Sequence, residues 1–207
     1  MTMTPIVFTP AELTLISDEH FFSQKAKVSI KIRELLEQLH VIFQEELQEH
    51  TLLIPKGCDL TIHQFVKGEN LEHFPYQYLD FPKFYTREKK FAFRSLFWWG
   101  HHMAFALILQ GGELRRYKEN LINRYSSVSD RGLCLGLDSN LWEWKNGPGY
   151  TLELTHDRKP EIAAVLAHRP FFKVTRFVPF RNLLTAESNL LKMGQEALRA
   201  VLPVITQ

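Results

Sequence analysis

Apolar residues recur at Val28, Ile32, Leu35, Leu36, Leu39, Ile42, Phe43 and Leu47, three or four positions apart, with Glu34, Glu37, Glu45 and Glu46 between them. That spacing predicts one long helix with a single wet face. Ser17 stands where an N-cap belongs, and Asp18 and Glu19 complement the positive end of the helix dipole. A shorter helix from Pro10 to about Ile16 is expected before it, with Thr9 as cap and Pro10 at the first position.

After Pro55-Lys56-Gly57 the period changes to two. Leu60, Ile62, Gln64 and Val66 alternate with Thr61, His63 and Phe65, which predicts a strand ending in a turn at Lys67-Gly68-Glu69-Asn70. Phe74 to Pro82 contains two prolines and is expected at a sheet edge or as a fixed extended segment. Phe91–Trp99 and His102–Gln110 alternate clearly and predict a hairpin closed by Gly100-His101. A helix is expected from Glu113 to about Tyr125. Short strands follow at Gly132–Leu137, Leu141–Lys145 and Tyr150–Thr155, the last two joined by the turn Asn146-Gly147-Pro148-Gly149. A short helix at Pro160–His168, a strand at Phe171–Pro179 and a helix from Thr185 to about Leu202 complete the series.

Hairpins outnumber βαβ units. The expected fold class is therefore α+β, a mainly antiparallel sheet with the long N-terminal helix and a C-terminal helix packed on it. A mostly parallel sheet is the alternative. Neither a repeat nor a Pro/Gly/Ser-rich linker divides the chain, so residues 1–207 are read as one domain.

Composition narrows the class further. With 207 residues, 45% hydrophobic and 13% aromatic, the chain is long enough to bury a full core without a disulfide or metal staple. A net charge of only +2 argues against disorder. It conceals a split, eight acids against four bases over Pro10–Glu49 and six bases against one acid over Arg158–Arg181, read as two solvated faces that attract one another. Cys58 and Cys134 stand alone, as expected of thiols in a reducing compartment. The N-terminal stretch lacks the pattern of a signal peptide, and no apolar run is long enough for a membrane span. The protein is read as cytoplasmic.

Motifs for a phosphate loop, a dinucleotide fold, a nucleophile elbow, a zincin site and a paired-cysteine site are all absent. No catalytic residue, cofactor or metal is assigned; adjacent residues such as His101 and His102 point to opposite faces of a strand and rarely share an ion. The most informative region runs from the Gly68–Pro82 segment to the Arg94–His102 hairpin. Rigid Pro-flanked backbone beside polar groups is how a scaffold positions a site. Glu69, Asn70, Tyr76, Asp80, Arg94, Trp98, Trp99 and His102 are the candidate ligand-binding residues. Arg94, inside an apolar strand, either meets solvent or pairs with Asp80 or Glu69, and its fork suits an anion. The tryptophans beside Lys83, Arg87, Lys89 and Lys90 resemble a stacking platform for nucleic acid, but aromatics on strands are usually core and the charge is nearly neutral, so nucleic acid is not expected.

The series Lys67-Gly68-Glu69-Asn70, Pro75-Tyr76, Leu79-Asp80-Phe81-Pro82 and Phe97-Trp98-Trp99-Gly100 resembles an uncharacterised group of bacterial proteins of about this length. Its members pair a long N-terminal helix with these motifs. The resemblance leaves the chain beyond Asp130 uncovered, and it implies a bacterial domain with no assigned activity. Two expectations follow from the residues. One is binding of a small polar or anionic molecule near residues 68–102. The other is a non-catalytic interaction or oligomerising module, with a homodimer as the simplest case.

Overall fold

Seven strands form one sheet in a computed structural model that describes residues 5–184 and 189–207. They are β1 (Gln64–Leu71), β2 (Phe74–Tyr85), β3 (Lys90–Trp98), β4 (His102–Gln110), β5 (Leu133–Gly136), β6 (Thr151–Glu153) and β7 (Phe171–Pro179). The spatial order is β1-β2-β3-β4-β7-β5-β6, and each of these neighbours pairs antiparallel. The first four form a meander. The chain then crosses through helices, so that β7 lies between β4 and β5.

The helices are α1 (Pro10–Ile16), α2 (Glu19–Gln48), α3 (Leu114–Asn123), α4 (Tyr125–Val128), α5 (Lys159–Ala167) and α6 (Leu190–Ile205). The α+β expectation holds, with α2 and α6 on the sheet. Alternation on the strands sends Phe91, Phe93, Phe105, Leu107, Phe172 and Val174 toward these helices, where they meet Ile32, Leu36, Leu39 and Phe43 of α2 and Leu198 and Val201 of α6. Each fully buried side chain of this kind contributes about 1.5–3 kcal/mol. Gly194 sets how closely α6 approaches, because a Cβ there would lie 2.5 Å from a Leu39 methyl and 2.9 Å from the Phe105 ring.

The opposite face carries Leu96, Trp98, Ala104, Ala106 and Ile108, and is covered by Leu141 and Trp144. These last two residues belong to the segment that joins β5 to β6, which folds back over the sheet.

Several local expectations are corrected. The cap of α2 is Asp18, whose carboxylate accepts the Phe21 N–H at 2.8 Å, while Ser17 closes α1. The strand expected from Leu60 begins at Gln64, since Asp59 caps a turn onto Thr61. Lys67-Gly68-Glu69-Asn70 lies within β1, and the turn falls at Glu72-His73, both with positive φ (49° and 74°). β2 is an interior strand rather than an edge. It tolerates its prolines because Pro75 falls where the β1 ladder shifts register and Pro82 where the β3 ladder does. The β3–β4 turn takes three residues, Trp99 to His101, with Gly100 at φ 74°. The helix expected to reach Tyr125 breaks at Arg124 into α3 and α4. Leu141–Lys145 is not a strand, and β6 pairs with β5. The C-terminal helix is capped by Asn189, while Thr185 lies outside the described residues.

Candidate functional site

Asp80 and Arg94 face each other directly across the β2–β3 ladder, on the sheet face away from α2 and α6. Nε of Arg94 donates to one carboxylate oxygen of Asp80 and Nη2 to the other, both at 2.7 Å. This two-pronged geometry is the strong form of the ion pair. The Tyr85 hydroxyl donates to the same carboxylate at 2.8 Å. The guanidinium lies 3.7 Å over the Tyr78 ring and 4.9 Å from the Trp142 ring. Asp80 is fully buried and Arg94 is 6% exposed. Burial opposes the arginine's charge, but Asp80 outweighs burial and holds the group above its ordinary pKa. Burial, joined by the Asp80 charge, drives the Tyr85 phenol well above the usual range.

Further along the same face, Lys173 of β7 donates its amine to the carbonyls of Leu141 and Glu143 and lies 4.0 Å over the Trp144 ring. Burial pushes this amine down to about 7. Burial, with the neighbouring His101, likewise lowers His102 to about 4, although a hydrogen bond to the Trp144 backbone works the other way. Among the described residues, neither Nε2 of His101 nor Nε2 of His102 has a hydrogen-bond partner. The His101 ring stacks on Trp98 at 3.7 Å, and Trp98 donates its indole N–H to the Leu71 carbonyl. Cations on the sheet thus hold the covering segment through its carbonyls and rings. Arg94 and Asp80 satisfy one another and present little charge to solvent.

Of the residues singled out from the sequence, Tyr76, Asp80, Arg94, Trp98 and His102 share this face, with Tyr76 stacked on Tyr78 at 6.1 Å. Three others do not join them. Asn70 serves the hairpin, accepting the His73 N–H at 3.1 Å. Glu69 reaches Lys25 of α2 at 2.6 Å, on the helix side. Trp99 packs against the main core beside Phe97. Sequence reasoning missed Tyr85 and Lys173. The β7 alternation does place Lys173 in line with Phe171, Thr175 and Phe177, and a lysine in an aromatic row was the available signal.

The exposed apolar residues gather elsewhere. From residue 5 to residue 31 no side chain is buried, and the first buried position of α2 is Ile32. Ile6, Val7, Leu15 and Ile30 are each at least 60% exposed. Phe21 and Val28 extend, at helical spacing, the stripe that Ile32, Leu36 and Leu39 bury on the sheet. α2 is tied down through Lys25–Glu69 and through the Gln77 amide, which donates to the Ser29 hydroxyl at 3.0 Å. Beside these ties runs an open groove of about 780 Å³ between α2 and β1, lined by Ala26, Ile30, Arg33, Phe65 and Val66 among others.

Cys58 and Cys134 are free, and burial raises both thiols to about 11, so neither is a ready nucleophile. Among the described residues, no group of three or more His, Cys, Asp or Glu side chains is placed to hold a metal. No helix among them is long and apolar enough to cross a membrane. No known protein family, curated protein or solved structure matches this chain.

Proposed function

We propose that the chain is a non-catalytic interaction module that binds a protein partner through its N-terminal segment, residues 5–31. The observation that carries this reading is the run of exposed apolar side chains with no buried position among them. Contiguous apolar surface beyond a few hundred Å² marks an interaction site. Seven residues of helix, even with the reciprocal Thr9–Glu12 cap, are too few to be stable in water without packing. Docking against a protein surface supplies that packing. The test is a photo-reactive residue placed at Leu15 or Phe21 in the native host, with Tyr150 as an exposed control. The reading expects a discrete cross-linked protein at the first two positions and not at the third. Absence of any adduct at both would refute it.

A second reading places a small polar ligand beside His101 and His102. It rests on their unpartnered Nε2 atoms next to the Trp98 wall. Freshly purified protein would then show a native mass above its denatured mass by a small-molecule increment. A native mass equal to the chain or a whole multiple of it would count against that ligand.

A further inference from the structure

We infer that the partner is a second copy of this chain, with α1 of each copy seated in the α2–β1 groove of the other. The inference rests on the reading of residues 5–31 as a docking segment. Ten large apolar side chains between Ile6 and Ile30 are at least 39% exposed. Together they present on the order of 1,000 Å², against the roughly 800 Å² that each partner contributes to a stable interface. The chain carries both halves of the contact, an unpacked apolar helix and an open groove walled by Ala26, Ile30 and Val66, in which the Arg33 guanidinium lies 3.7 Å over the Phe65 ring. Reciprocal exchange of one element is a low-cost route to a closed two-fold dimer.

The joint between the helices directs α1 to another copy. Ser17 closes α1 through the Leu13 carbonyl and Asp18 caps α2 through the Phe21 N–H, while the Asp18 N–H donates across the joint to the Leu15 carbonyl at 3.5 Å. Folding α1 back onto its own groove would break the Asp18–Leu15 bond across that joint. The groove rim balances Arg33 and Lys67 against Glu34 and Glu37, with Arg33 bound to Glu37 at 2.6 Å. Charge neither drives nor opposes the contact, and apolar area decides it. Dimerisation is therefore expected to change little with salt.

Sedimentation across a concentration series tests the inference with four samples. They are the full chain, a helix variant (Leu13→Asp with Ile16→Asp), a groove variant (Ala26→Arg with Ile30→Glu), and an equimolar mixture of the two variants. All four positions are exposed, so the fold is expected to persist, and matching thermal melts at high dilution check this. The full chain is expected to dimerise, and each variant to weaken the dimer by at least about 100-fold, because two-fold symmetry repeats the two lost contacts on both sides. The mixture is expected to regain a dimer, because one intact helix still meets one intact groove. A full chain that stays monomeric to its solubility limit would overturn the inference. Dimers that no mixture restores would overturn the exchanged geometry. A cross-link from Leu15 or Phe21 to a different protein would sink the second copy while leaving the docking segment in place.

Discussion

Arg94 and Asp80 are both removed from water, so each depends on the other. Truncating one partner of such a pair leaves a buried charge uncompensated and costs about 3–5 kcal/mol. Arg94→Met is expected to lower the unfolding free energy read from urea melts by that much, and Arg94→Met with Asp80→Asn to recover much of it. A single variant that costs under about 1 kcal/mol would show the pair to be solvated. Lys173 gives a pH dependence. Its folded pKa of about 7 lies below its ordinary 10.5, so the unfolded chain holds the extra proton between these values. Stability from this group therefore rises as pH climbs from about 7 toward 10. The thiols of Cys58 and Cys134, raised from 9.0 to about 11, act in the opposite sense above pH 9. The informative quantity is the difference between the full chain and Lys173→Met in urea melts, which should grow in favour of the full chain across pH 7–10. A constant difference would place the amine in water. At this scale the sequence left Arg94 either in solvent or paired with Asp80 or Glu69, and burial of both Arg94 and Asp80 overturns the solvent-facing alternative. Glu69 and Trp99 were equally plausible on paper, and only the β1 register and the three-residue turn send them to the other side.

Among the elements, α6 is held by the absence of a side chain. Gly194→Ala puts a methyl into the Leu39 and Phe105 side chains and is expected to cost about 1–3 kcal/mol, read from thermal melts. A neutral or stabilising outcome would mean that α6 can lift away freely. α1 is the converse case. No side chain among residues 5–17 is buried, so at concentrations where the chain is monomeric a variant that starts at Asp18 should lose no more than about 0.5 kcal/mol of stability. A larger loss would place α1 in the fold. The helices and the β3–β4 hairpin were legible because their periods are long and unbroken. The β1–β2 hairpin was not, since its turn uses Glu72 and His73 at positive φ where Asn or Gly is the usual marker. The segment around Trp142 and Trp144 alternates like a strand. It instead lies across the sheet, because β5 takes β6 as its partner on one side and β7 on the other.

Over the whole molecule, one sheet has two unlike covers. Helices α2 and α6 close one face with an apolar core, and an irregular segment held by Arg94, Lys173 and His102 closes the other. Among the described residues, the longest run without a buried side chain is the N-terminal overhang, residues 5–31. That the long helix would run past the sheet was hidden in the sequence, because the stripe of Phe21 and Val28 is indistinguishable from the stripe that Ile32 and Leu39 bury. Amide hydrogen exchange across residues 5–31, followed from high concentration to high dilution, reads the state of this overhang directly. Slow exchange is expected over α1 and the first turns of α2 at high concentration, lost on dilution while the β3–β4 amides stay protected. Exchange at the unfolded rate over residues 5–31 at every concentration would contradict it.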